Sequence, residues 1–392
     1  MILATLLLSL PTPGPTAAND NLVVELLRSH PEGLAPYLED PARWRLQILV
    51  GQVIEDDTGV PRLERHAFRL DAEYTYPASS IKTFAALAAL QRVQEDPRLE
   101  LSTPLRYDAL FDDEVVEDSD ETNLEGGAIT VGHEVRKLSL VSDNRAYNRL
   151  YELVGQRELH ELCWSSGFSS LRLHHRLSEF RSREDNRLSP RVDLGLEPGA
   201  PYAPERASGL VLDNRGFPGL DVGRAHVAGG ELVERPMSFR HKNQCSLRDL
   251  QDLVVRVARP DVLLEEPPFP LDDELRLFLL EAMTQVPSES RNPRYDPERY
   301  PDDYVKFLAP GLGRVVPLER LQITNKVGRA YGFSTENAYV HDRESGRGFF
   351  VAATLYTNDN GVLNDGVYEY EERADPFFAD LGEALARRFL ID

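Results

Sequence analysis

Strand-like patterning in this chain is confined to its two ends. Residues 44–54 form an apolar, strand-like run and residues 63–70 alternate with a period of two. Far downstream, residues 321–326, 336–341 and 348–356 read as three more strands, the last two joined by a turn containing Gly346. The middle, from Ser79 to about Leu280, repeats instead at helical spacing, over residues 81–94, 130–140, 144–154, 158–166 and 246–256. Residues 21–37 and 375–390 add helical patterns at either end. The economical assembly is one sheet drawn from both termini with a helical region inserted between them. This divides the chain into a sheet domain, 19–78 with 318–392, and a helical domain, 79–317.

Two stretches fit neither part and read as ordered surface insertions. Residues 177–236 are rich in Arg, Gly and Pro with little period, and residues 265–317 hold one short helical segment, 275–284, among Pro, Tyr and Asp. The acidic run 112–121 lacks the glycine and closing glutamate of a calcium loop and reads as a solvated loop.

A chain of 392 residues with 41% hydrophobic content can bury a substantial core. Its 65 acidic residues outnumber 44 basic ones, for a net charge of -21, which excludes a nucleic-acid partner because phosphate affinity rests on clustered Lys and Arg. The apolar run at residues 2–10, followed by a Pro-rich stretch ending Thr16-Ala17-Ala18, reads as a signal peptide over residues 1–18. The mature protein is then expected to be periplasmic or secreted, with no membrane span, and monomeric. Cys163 and Cys245 read as two buried thiols rather than a disulfide, and no metal or cofactor is implied.

Lysine is scarce: only Lys82, Lys137, Lys242, Lys306 and Lys326 occur, leaving 39 of the 44 basic residues as Arg. An amine can surrender its proton near neutral pH and a guanidinium cannot, so the positions that keep lysine are informative. Ser79-Ser80-Ile81-Lys82 is an S-x-x-K, in which the amine follows the hydroxyl by three residues and lies on the same face of a helix. A desolvated lysine can then serve as the base that activates a serine nucleophile. Ser142-Asp143-Asn144 offers a second hydroxyl to relay a proton to a leaving group and an amide to hold an acyl carbonyl. Lys326-Val327-Gly328 ends the strand at 321–325, where the lysine supplies positive potential and the glycine lets a substrate lie against the strand edge. The first two motifs also have ordinary structural readings, the first as a helix start and the second as an N-cap.

Taken together and in this order, the motifs resemble those of the class A β-lactamases and penicillin-recognising serine enzymes. The surroundings agree: Pro77-Ala78-Ser79-Ser80-Ile81-Lys82-Thr83-Phe84, then Ala88 to Val93, Ile129 to His133 and Asn243 to Leu250. The resemblance implies an α+β fold in which an antiparallel five-stranded sheet, flanked by helices, sits beside an all-α domain. It implies a β-lactamase-like serine hydrolase that forms an acyl-enzyme on Ser79, with Lys82 as base and Ser142 as proton shuttle. Asn144, Lys326, Gly328 and Arg329 would contact the substrate, the backbone N–H groups of Ser79 and Arg329 forming the oxyanion hole. The expected partner is a small-molecule or peptidic acyl substrate, a β-lactam or related amide.

The sequence departs from that pattern in three places. The 184 residues from Ser142 to Lys326 exceed the usual interval, no E-x-x-x-N loop is present, and Val327 stands where a hydroxyl usually does. Glu179 is the nearest candidate for a deacylating carboxylate, with Glu184 behind it. Two alternatives follow: a transpeptidase- or esterase-type acylase that deacylates slowly, and a non-catalytic binding protein of the same fold.

Overall fold

The computed structural model describes residues 21–55, 57–195, 201–263 and 267–391, so the signal-peptide reading of residues 1–18 lies outside the described residues. Both ends of the chain do build one sheet. Its strands are β1 (Gln47–Glu55), β2 (Pro61–Phe68), β3 (Leu321–Asn325), β4 (Gly328–Ala330), β5 (Phe333–Asp342) and β6 (Gly348–Tyr356), in the order β3-β5-β6-β1-β2. All pairs are antiparallel, with Ile48 opposite Ala353 and Ile323 opposite Val340. The sheet has six strands where five are expected, because β5 starts earlier, at Phe333, and its first residues pair with the short β4 just beyond Lys326.

Strand alternation sends successive side chains to opposite faces. Ile48, Val50, Val351, Ala353 and Leu355 point into one core with α1 (Asn21–Arg28) and the C-terminal helix, whose Phe377, Phe378, Leu381 and Leu385 are buried there. Leu49, Phe350 and Ala352 point into the other, with α2 (Lys82–Glu95), α3 (Val131–Leu140), α4 (Asn144–Val154), α5 (Gln156–Ser165), α6 (Leu247–Ala258) and α7 (Asp273–Thr284). The C-terminal helix, α8, spans Asp375–Ala386. The chain therefore has an α+β architecture, with helices on both faces of an antiparallel sheet and a helical region inserted between β2 and β3.

Helix α2 is buried from Lys82 through Leu90, since its Ala-rich run Ala85-Ala86-Leu87-Ala88-Ala89 lets neighbouring helices approach on every side. Asp143 caps α4 by accepting from the Ala146 N–H at 2.9 Å, and Ser246 caps α6 in the same way from Asp249 at 3.1 Å. Cys163 and Cys245 are buried free thiols.

Three surface readings are corrected. The stretch 177–236 is woven into the fold: Ala225–Ala228 pairs in parallel with Val362–Leu363, and Val222 joins Tyr74, Tyr76, Phe239 and Phe333 in a third buried cluster. Its Gly and Pro content reflects tight turns between short strands rather than a loose excursion. The stretch 265–317 is structural too, since Leu275, Leu279 and Met283 of α7 enter the helical core while Leu308, Leu312 and Val316 enter the core on the opposite sheet face. The acidic run is pinned rather than solvated at its end. Asp120 is buried against Lys137 and Arg149, and Glu117 pairs with Arg145 and Arg149. Like the cleft below, this arrangement is fixed by cations far away in sequence.

Candidate active site

Ser79 lies in a 3-10 turn, Ala78–Ile81, and the α-helix proper begins only at Lys82. Three residues per turn eclipse Ser79 and Lys82 more closely than an α-helix would. The turn is entered through Ala78 at φ +48°, a left-handed conformation that a residue with a Cβ adopts only under constraint. Ser142, Ser178 and Tyr331 are also left-handed, at φ +58°, +57° and +55°. Ala78, Ser178 and Tyr331 line one cavity with Ser79, and Ser142 sits beside it, so backbone strain is concentrated around this hydroxyl.

The turn at Ser142 aims its hydroxyl between two amines. Lys82 Nζ lies 3.2 Å from Ser142 Oγ and also donates to the Ser142 carbonyl; Lys326 Nζ donates to the same Oγ at 2.9 Å and to the Val327 carbonyl at 3.0 Å. Both lysines are fully buried. Burial pushes the Lys82 ammonium well below its usual range, Lys326 lowers it further, and Asp143 opposes the shift. Burial likewise brings Lys326 down to about 7, against the attraction of the Glu336 carboxylate and with the repulsion of Lys306. Behind this pair, Lys306 donates to Asn325 Oδ1 at 2.9 Å and Asn325 donates to Glu336 at 2.8 Å, a buried network that fixes the end of β3.

β4 packs directly on the Ser79 turn. A Cβ at Gly328 would sit 2.2 Å from the Pro77 carbonyl oxygen and 2.9 Å from the backbone nitrogens of Ser79 and Ser80, so only glycine permits this approach. The approach brings the Gly328 backbone against the Ser79 and Ser80 backbone nitrogens. The Arg329 guanidinium is directed elsewhere, to Asp375, and stacks over Phe307 and Tyr370 at 4.4 and 4.9 Å.

The cavity, of about 430 Å³, is lined by Ser79, Asn144, Glu179 and Arg329 together with residues of the 174–186 and 241–242 segments. Asn144 Nδ2 donates to Ser178 Oγ at 2.7 Å, not to anything on Lys82. Glu179 borders the same cavity as Ser79, with Oε2 buried and 3.7 Å from Arg176 Nε. Glu184 is exposed and does not line it. Val327 is buried. Among the described residues nothing hydrogen-bonds the Ser79 hydroxyl, and Lys82 is turned to Ser142 rather than to Ser79. The cavity wall also holds Tyr76, His175, Lys242 and Tyr331, which no motif marked. The scarcity of lysine was the one sequence signal for Lys242, whose amine donates to Tyr331 Oη at 3.2 Å.

Residues 64–194 match the Beta-lactamase enzyme family, a segment that carries Ser79, Lys82, Ser142, Asn144 and Glu179 but not Lys326. No curated protein matches the sequence. Among solved structures, a β-lactamase from Desulfarculus baarsii is similar over 90% of this chain and 94% of its own, at 15% identity and a TM-score of 0.50. β-Lactamases from Burkholderia ambifaria (18% identity, 89% and 95% covered) and Burkholderia phymatum (17%, 89% and 94%) also reach 0.50. At these identities the structures speak for the fold alone. Among the described residues no helix is long and apolar enough to cross a membrane.

Proposed function

We propose that this chain, a β-lactamase-family serine hydrolase by its 64–194 segment and its fold, acylates Ser79 with a β-lactam or related amide and then hydrolyses the acyl-enzyme. The observation that carries the reading is the sharing of the Ser142 hydroxyl by two buried amines of depressed basicity. Lys82, its basicity lowered by burial and by Lys326, takes the Ser79 proton as substrate enters. The Ser79 oxygen attacks the carbonyl, whose developing negative charge is held by the backbone N–H groups of Ser79 and Arg329. As the C–N bond breaks, Ser142 hands its proton to the leaving nitrogen and recovers one from Lys82, a relay that closes the proton balance. Asn144 contacts the acyl group, Lys326 supplies positive potential, and Glu179 positions the water that releases the acid.

A second reading has a specific observation behind it. The Glu179 carboxylate leans toward Arg176 and Val327 offers no hydroxyl to a substrate carboxylate, both of which favour an acylase that deacylates slowly. Incubation with a chromogenic cephalosporin, followed by intact-mass measurement, separates the two. Turnover supports hydrolysis and a persistent adduct on Ser79 supports slow deacylation. Neither turnover nor adduct would remove the β-lactam as substrate, and loss of fluorophosphonate labelling at Ser79 would remove the nucleophile. The chain's exported location, its monomeric state and its division at residues 78 and 318 belong to the same proposal.

A further inference from the structure

Beside the Ser79 cavity lies a larger groove of about 1260 Å³, built mainly from the segment 221–238 and the loop 364–368. The two spaces share three residues, Phe180, Lys242 and Tyr331, and so adjoin, with the Lys242–Tyr331 hydrogen bond at their junction. Phe180 stands 98% exposed at this junction, a large apolar ring with no ring partner among the described residues. The outer groove is polar and apolar by turns, with Val227, Pro236, Met237 and Tyr368 along it.

Charge is unevenly spent around the junction. Most arginines near Ser79 are committed: Arg176 to Glu152, Arg181 to Asp113 and Arg329 to Asp375. Among the described residues, Lys242 and Arg183 have no carboxylate within ion-pair distance; Lys242 meets only Tyr331 and Arg183 only His241, at 3.0 Å. In a chain with 21 excess negative charges, two cations without a carboxylate on one cavity wall make a locally positive surface that draws an anion. Farther out, Arg235 and Asp221 face the groove and offset each other in sign, which leaves the positive excess at the junction.

Direction follows from the serine-acylation reading. Asn144, which that reading puts on the acyl group, lines the same cavity as Ser79 and Lys242. What remains attached to Ser79 occupies the Lys242 side.

Resting on the serine-acylation reading above, we infer that the preferred acyl donor is elongated. Its acyl-side arm runs from Ser79 past Phe180 and Tyr331 into the outer groove, and it carries a carboxylate that Lys242 reads at the junction.

The test uses the full chain and three thioester acyl donors sharing one leaving group: a short neutral acyl group, a long neutral arm and a long arm bearing a carboxylate. Fluorophosphonate labelling of Ser79 is run in parallel. The expected kcat/KM rises from short to long and by about tenfold or more again with the carboxylate, the worth of one charge-assisted hydrogen bond. Lys242→Gln is expected to bring the anionic-to-neutral ratio to about one, Lys242→Arg to restore it, and Ala228→Trp, placed on the wall of the outer groove, to erase the gain from length while the labelling rate of Ser79 is kept. Equal kcat/KM for the two long donors, or a charge ratio unmoved by Lys242→Gln, would overturn the inference while leaving Ser79 as the nucleophile. Absence of labelling at Ser79 would overturn the acylation reading and this one with it.

Discussion

Lys82 and Lys326, 244 residues apart in the chain, meet on the single hydroxyl of Ser142, with Nζ to Oγ distances of 3.2 and 2.9 Å. Two ammonium groups so close and so buried cannot both stay charged at ordinary pH. Burial and the neighbouring ammonium lower Lys82, and burial brings Lys326 to about 7, so the pair is suited to one base and one cation around one hydroxyl.

Removing that hydroxyl should cost the relay without costing the fold. Ser142 is left-handed, so Ser142→Gly keeps the backbone at ease, whereas Ser142→Ala keeps a Cβ in a conformation that costs on the order of 1 kcal/mol. Both variants are expected to acylate about 10²- to 10⁴-fold more slowly, with the alanine variant the less stable of the two. Pre-steady-state acylation and denaturant melts measure the two effects separately. A glycine variant that acylates at the wild-type rate would exclude Ser142 from proton transfer.

Acylation by an anionic donor should follow a bell-shaped pH profile. The acid limb reflects protonation of Lys82, whose ordinary range lies well above its buried value. The alkaline limb should centre near 7, where Lys326 loses the positive charge that attracts the donor. Lys326→Arg keeps the charge and should push that limb upward by more than two pH units. A profile flat to pH 9 in the wild type would show that Lys326 acts without its charge.

Lys326 should also weaken the folded state at neutral pH. Its basicity is about 7 when folded and near 10.5 when unfolded, so between those values the unfolded chain binds more protons and stability rises with pH. Lys326→Met removes the buried amine. It is expected to be more stable than the wild type at pH 7, by on the order of 1 to 4 kcal/mol, with the difference fading as pH approaches 10.5. Thermal melts from pH 7 to 10.5 check both the sign and its disappearance.

Gly328→Ala should damage the nucleophile from a distance. The added methyl would meet the Pro77 carbonyl at 2.2 Å, and backbone, not a flexible side chain, would have to move. A loss of about 1 to 3 kcal/mol is expected from overpacking, together with a drop in Ser79 labelling larger than the stability loss accounts for. Labelling measured well below the melting temperature distinguishes the two, and unchanged labelling would mean that β4 does not set the position of the turn.

The outline of the fold was legible because periodicity and capping are short-range. The strands at residues 47–55 and 348–356, the buried Ala-rich helix after Ser79 and the cap at Asp143 all follow from neighbours a few residues away. The motif residues Ser79, Lys82, Ser142, Asn144 and Lys326 were legible as types in an order, and so was the glycine at 328. β4 was missed because three residues carry too little period to announce a strand. The segments 177–236 and 265–317 were misread as surface because their burial is achieved by scattered residues, such as Val222 against Tyr76 and Leu308 against the C-terminal helix, that show no local pattern.

The sequence by itself determined which chemical groups are available: one amine three residues after a serine, a second at a strand end, and a hydroxyl between them in the chain. Only the tertiary structure decided that both amines reach the same oxygen, that Arg329 turns its guanidinium away to Asp375, and that Lys242 stands uncommitted at the cavity wall. The physical reason is that basicity and contact depend on burial and on partners brought in from afar, and those are set by how the sheet and helices pack, which no local stretch of residues encodes.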